Sequence, residues 1–161
     1  MLICGIVGWK NSGKTYFAQK LINFFNSKNF KVASIKHAHH EFDIDQPGTD
    51  SYLHREAGSQ EILVSSSNRW VKIVELRDSK ERKLSNLLNE LDSPDIVIVE
   101  GFKNESHPKI EIIKDDSNDY LFTKLDNVIG IVSNKKIDTA IPRFNISNID
   151  DIAEHILNNF R

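Results

Sequence analysis

One cysteine, no surplus of basic charge and no long apolar run set the first limits on this 161-residue chain. Cys4 has no partner, so an intramolecular disulfide is excluded, and its place inside a short apolar run suits a buried structural thiol in a reducing cytoplasm. Lysine and arginine total 21 against 23 aspartates and glutamates, a formal net charge of -2, so charge gives no reason to expect a nucleic-acid partner. The apolar stretch at residues 2–7 breaks at Gly8, too short for a signal-peptide core or a membrane span, and the expected location is the cytoplasm, away from membranes. Repeats and low-complexity segments are absent as well. A chain of this size suits one domain, residues 1–161, with a single core.

What is present begins directly after that first run. Gly8, Trp9, Lys10, Asn11, Ser12, Gly13, Lys14 and Thr15 spell GxxxxGK[ST], the phosphate-binding P-loop or Walker A pattern. Its glycines let the backbone wrap closely enough for several N–H groups to face one phosphate, and the following helix adds the positive end of its dipole. Lys14 is expected to reach the β and γ phosphates and the Thr15 hydroxyl to bind Mg2+. A Mg2+ site also needs a hard oxygen ligand from a neighbouring strand. Glu100 ends the run Ile96-Val97-Ile98-Val99 and precedes Gly101, so it is assigned to the metal together with Thr15, while Asp95, at the other end of the same strand, starts it.

Periodicity supplies the frame. Phe17, Leu21, Phe24 and Phe25 recur at helical spacing in residues 15–28. Strands are expected at 32–35, 62–65, 70–76, 96–99, 110–113 and 128–132, and helices at 51–57, 79–91 and 149–160. The run at 96–99 is β-branched throughout, as in a central strand buried on both faces. The predicted fold is α/β and P-loop NTPase-like, a mostly parallel sheet flanked by helices on both faces.

The longest stretch without an element, residues 36–50, concentrates His37, His39, His40, Glu41, Asp43 and Asp45. Ligand contact, a water-bridged contact to Mg2+, a zinc site and a solvated polar loop are the readings it admits, with zinc disfavoured because no cysteine or usual zinc spacing accompanies the histidines. His37, His39 and Asp45 are the candidates for contact with the nucleotide or a second ligand. Pro47-Gly48 reads as a turn, Thr49 or Asp50 as a helix cap, and Gly58 as the helix end. Arg55 either reaches a phosphate or complements the helix dipole. Asn134-Lys135-Lys136-Ile137-Asp138 is one residue longer than the guanine-reading NKxD element of GTPases.

The segments GWKNSGKT, IKHAHHEFDIDQPGTDSYLHREAGS and DIVIVEGFKNESHPKIEI together resemble the molybdopterin-guanine dinucleotide biosynthesis protein B (MobB) family, through about Ile113. The middle segment is the most specific of the three. The sequence departs from the family pattern at Thr49, where Lys is frequent, and at Tyr16, where a second Thr or Ser is common and where the backbone N–H can still serve the α phosphate. The resemblance implies a homodimeric protein that binds GTP with Mg2+. It would work beside the MobA nucleotidyltransferase, which joins GMP to molybdopterin, with the molybdopterin cofactor a candidate second ligand. It implies weak GTPase activity at most, and the residues agree: no Gln is placed to position water and no arginine finger is identifiable. A small-molecule kinase is the rival reading, with Asp43 or Asp45 as its base.

Overall fold

The computed structural model describes residues 1–38, 42–77, 80–114 and 118–160. The internal contacts divide the chain into two compact units, residues 1–37 with 84–161 and residues 38–83.

The first unit is built on a six-stranded sheet. Its strands are β1 (Leu2–Val7), β2 (Val32–Lys36), β5 (Ile96–Glu100), β6 (Lys109–Ile112), β7 (Val128–Val132) and β8 (Arg143–Phe144), ordered β2-β5-β1-β6-β7-β8. Every neighbouring pair is parallel. Helices α1 (Lys14–Ser27), α3 (Leu84–Leu88) and α4 (Ile149–Asn158) belong to the same unit. One face of the sheet, with Cys4, Ile6, Ile96, Ile98, Ile110 and Ile112, packs on Phe17, Leu21 and Phe25 of α1 and Ile152 and Ile156 of α4. Each of these large side chains contributes about 1.5–3 kcal/mol by leaving water. Val97 and Val99, on the opposite face, pack with Leu84 of α3. Both faces are covered, as the unbroken apolar run of β5 requires.

Local chemistry sets the ends of these elements. Gly13, at φ +94°, turns the chain from the phosphate loop into α1. At the other end Asn29 adopts φ +62°, its N–H bonds to the Asn26 carbonyl at 3.0 Å, and the Phe30 N–H bonds to the Phe25 carbonyl at 3.0 Å. This is a Schellman stop, sealed by edge-on contact of the Phe25 and Phe30 rings at 5.4 Å. Asp95 starts β5 as expected: its N–H donates to the Lys31 carbonyl at 2.8 Å and its carboxylate accepts from the Lys31 N–H at 2.6 Å.

One expected element needs correction, and two features go beyond the expectations. The helix expected at 79–91 is only Leu84–Leu88, because Lys80-Glu81-Arg82-Lys83 offers neither a cap nor an apolar face, although Leu91 still packs beside Leu84. β8 has no sequence signature: two residues after Pro142 are too few to show a period, and they are a strand by pairing with β7. Lys109 and Glu111 are buried, although charged residues in a strand suggest a solvent face. Lys109 Nζ donates to the carbonyls of Glu105, His107 and Asp126, and the Glu111 carboxylate accepts from the N–H groups of Leu121 at 2.7 Å and Phe122 at 2.8 Å.

His107 shares this polar cluster. Both its ring nitrogens are buried without a hydrogen-bond partner among the described residues, and a Cβ on Gly5 would stand 2.5 Å from its Nε2. Burial and the Lys109 ammonium hold the imidazole neutral, moving its pKa from the ordinary 6.5 to about 4. The unfolded chain therefore binds a proton that the folded one refuses between these values. Stability from this group is complete above about pH 6.5 and is lost as pH falls toward 4, a cost on the order of 3 kcal/mol. Urea titrations at pH 7 and pH 4.5 check this, with a much smaller pH difference expected for His107→Phe.

The second unit holds α2 (Asp50–Glu56) and the antiparallel hairpin of β3 (Glu61–Ser65) and β4 (Trp70–Val74). These two strands form a sheet of their own and are not part of the parallel one. Pro47-Gly48 makes the expected turn, with Gly48 at φ +88° and the Thr49 N–H on the Gln46 carbonyl at 3.1 Å. Thr49 occupies the cap position of α2 but does not cap, because its hydroxyl donates to the Gln46 carbonyl at 2.9 Å. Gly58 ends the helix at φ +107°.

Candidate functional site

β1 lies between β5 and β6, so the connections leaving β1 and β5 diverge at the carboxyl edge of the sheet, where open α/β sheets bind ligands. The phosphate loop leaves β1 at this point. Gly8 is at φ +152°, and an added Cβ there would meet the Ile112 carbonyl oxygen at 2.5 Å and Ser12 Oγ at 2.6 Å. Asn11 takes φ +59° and the Ser12 N–H bonds to the Trp9 carbonyl at 3.2 Å, closing the loop on itself.

Lys14 lies across this ring, its Nζ donating to the Gly8 carbonyl at 2.9 Å and the Trp9 carbonyl at 2.8 Å. Partial burial lowers its pKa, opposed by the nearby Glu100 carboxylate and reinforced by the Lys36 ammonium. Thr15 Oγ1 is 3.1 and 3.2 Å from the two Glu100 carboxylate oxygens, and Lys36 Nζ is 3.6 Å from Glu100 Oε1. The register aligns Glu100 with Ile6 on one side and Lys36 on the other, which fixes the carboxylate beside the loop. A hydroxyl and a carboxylate at this separation are hard oxygen donors suited to Mg2+. Gly101, at φ +96°, brings the backbone close to His37: a Cβ there would lie 2.7 Å from the His37 Cβ. The His37 N–H donates to the Glu100 carbonyl at 2.8 Å and its ring stacks on Phe102 with centroids 4.7 Å apart.

Residues 3–134 match the family model described as molybdopterin guanine dinucleotide synthesis protein B. The chain is 32% identical to the molybdopterin-guanine dinucleotide biosynthesis adapter protein of Haemophilus influenzae, over 97% of this chain and 88% of that one. This chain belongs to the MobB family. It is also 29% identical to the adapter protein of the same description from Escherichia coli K12, over 96% of this chain and 91% of its relative. In fold it is similar to the crystal structure of a MobB homologue from Bacillus stearothermophilus, with a TM-score of 0.75, 20% identity, and 99% of this chain and 97% of that one covered.

Placed on the MobB frame, the residues expected to hold a ligand fall into three groups. Gly8 to Thr15, Glu100 and His37 meet at the carboxyl edge of the sheet within the first unit. Tyr16 points outward, more than half exposed, with Lys20 Nζ 5.1 Å from its ring centre. Asp45 lies in the second unit, where it accepts from Ser51 Oγ at 2.8 Å and stands 3.9 Å from Arg55 Nε. Arg55 grips the neighbouring Asp43 through two hydrogen bonds of 3.0 and 2.7 Å, which hold the Asp43 carboxyl below the usual carboxylate range. His39, His40 and Glu41 lie outside the described residues. No group of three metal-ligating side chains occurs among the described residues.

Two residues at the site escaped sequence reasoning. Lys36 ends β2 next to Glu100, a neighbour that only strand order reveals. Phe102, stacked on His37, is reached through the left-handed turn at Gly101. Its signal is an aromatic directly after Glu-Gly, inside the segment DIVIVEGFKNESHPKIEI.

Proposed function

We propose that this chain binds GTP with Mg2+ at the phosphate loop and acts as an adapter for the attachment of GMP to molybdopterin, beside a MobA-type nucleotidyltransferase in the cytoplasm. The observation that carries the nucleotide site is Thr15 Oγ1 within 3.2 Å of both Glu100 oxygens, at the end of a loop whose Lys14 already lies across the phosphate cradle. Family membership supports the pathway, since the relatives are described as adapters in molybdopterin-guanine dinucleotide biosynthesis. In this reading Gly8, Trp9, Lys10, Asn11, Gly13 and Tyr16 offer backbone N–H groups to the phosphates, and Ser12, whose N–H bonds to the Trp9 carbonyl, holds the loop closed around them. Lys14 bridges the phosphate oxygens, and Thr15 and Glu100 hold Mg2+, which when bound neutralises phosphate charge. His37 stands at the rim, and His39 and Asp45 are kept as contacts to the nucleotide or to molybdopterin.

Turnover is weak or absent in this account. A kinase finds no support here: the carboxylates that would serve as its base, Asp43 and Asp45, are engaged with Arg55 and Ser51. We also propose a homodimer. Phe42, Ile44, Leu53, Leu63 and Trp70 of the second unit are all more than half exposed, α2 buries none of its residues, and a lone two-stranded hairpin is marginal in water.

Glu100→Gln tests the metal half of the site. The amide keeps the shape and removes the charge, so GTP binding should persist in part while its dependence on Mg2+ falls about tenfold or more. Calorimetric titration of GTP at several Mg2+ concentrations measures this; an unchanged metal dependence would remove Glu100 from the site.

A further inference from the structure

Beside the phosphate loop lies a cavity of about 340 Å3 bounded by Trp9, Ser12, Ile112, Ile113, Lys114 and Asp119. This is the small end of the range for ligand pockets, about 300–1,000 Å3, a size for one flat ring system rather than a whole dinucleotide. Trp9, Ile112 and Ile113 give it apolar walls. Its polar groups include Ser12, whose buried Oγ has no hydrogen-bond partner among the described residues, and Asp119. The indole is fixed in place, because Trp9 Nε1–H donates to the Asp119 carbonyl at 2.8 Å. Lys103 and Lys124 bring ammonium groups to 5.7 and 5.6 Å from the Trp9 ring centre, positive charge suited to a phosphorylated ligand. Lys135, within the NKxD-like stretch, donates to Asn118 Oδ1 at 2.6 Å and so ties the segment after β7 to the residue preceding Asp119.

We propose that this cavity is the heterocycle subsite, and that the Asp119 carboxylate reads the 2-amino-4-oxopyrimidine edge that guanine and pterin share. The inference rests on the phosphate-loop reading, since Trp9 and Ser12 belong to both the loop and the cavity. That edge presents a ring N–H and an amino group side by side, two donors that one carboxylate accepts together. Adenine offers a bare ring nitrogen at the first position and no amine at the second, so the carboxylate would face a lone pair. Asp119 Oδ1 accepts from Lys124 Nζ at 2.6 Å, which holds the carboxylate beside the Trp9 ring that the same ammonium approaches.

The sequence has two tryptophans, so Trp70→Phe leaves Trp9 as a fluorescence reporter of the cavity. In that background GTP, ATP, XTP, free pterin and inorganic tripolyphosphate are titrated in Mg2+. GTP should bind more tightly than ATP. Asp119→Asn should weaken GTP about tenfold to a hundredfold, leave tripolyphosphate unchanged, and strengthen XTP, whose extra ring carbonyl accepts from the new amide. Free pterin competing with GTP would show that both heterocycles use the subsite, whereas GTP response without pterin competition would assign it to guanine alone. Tripolyphosphate binding intact with the GTP, ATP and XTP order unmoved by Asp119→Asn would overturn the subsite alone. Failure of tripolyphosphate to bind, or binding indifferent to Lys14→Ala, would overturn the phosphate-loop reading and the subsite with it.

Discussion

Lys14→Ala is expected to weaken GTP binding by about a hundredfold while leaving the fold intact. Charge-assisted hydrogen bonds are each worth about 1.5–3 kcal/mol, and Lys14 Nζ now donates to two loop carbonyls, at 2.9 and 2.8 Å, from where it can turn to phosphate oxygens. Its side chain is only partly buried, so removal should move the unfolding midpoint little. Equilibrium binding of GTP and of tripolyphosphate measures the effect. Both should fall together, because Lys14 addresses phosphates and no base. Unchanged GTP affinity in this variant would remove the phosphate loop from the account.

Gly8→Ala should do damage of a different kind, in stability as well as binding. The conformation at φ +152° is costly for any residue with a Cβ, about 1–3 kcal/mol. The new methyl would also meet a backbone oxygen, that of Ile112, at 2.5 Å. Backbone cannot step aside as a side-chain tip can, so the overlap adds about 1–3 kcal/mol more. Gly13 is the contrast: at φ +94° it pays the backbone cost, yet beyond its own chain neighbours and the nearby helix backbone no heavy atom of the described residues lies within 4 Å of its would-be Cβ. Urea midpoints should therefore rank wild type above Gly13→Ala and Gly13→Ala above Gly8→Ala. Equal midpoints for the two variants would show that the Ile112 contact has no energetic weight.

Much of the candidate site's geometry is legible because its parts are local. Eight consecutive residues carry the loop, and the β-branched run before Glu100 marks both a central strand and the acid at its end. The Thr15–Glu100 approach follows from two motifs and one rule about parallel sheets. Lys36, by contrast, becomes a neighbour of Glu100 only through the order β2-β5-β1, which no period in the sequence encodes. Lys109 and Glu111 sit two residues apart on one face, a pattern that reads as solvent-facing. Their burial depends on carbonyl and N–H groups supplied by distant turns at Asp126, Leu121 and Phe122. Composition points Asp43 and Asp45 to metal-bound water or to a base, and Arg55 to a phosphate or the helix dipole; their mutual pairing joins residues on either side of the Pro47-Gly48 turn, which composition does not encode.

GTP-dependent assistance to a partner nucleotidyltransferase is the central claim. The most direct measurement is the rate at which MobA forms molybdopterin-guanine dinucleotide from limiting GTP and Mg2+, with this chain added in stoichiometric amount. The account predicts that the wild-type chain raises that rate and that Lys14→Ala does not. An equal rate with wild type, with Lys14→Ala and with no added chain would contradict it.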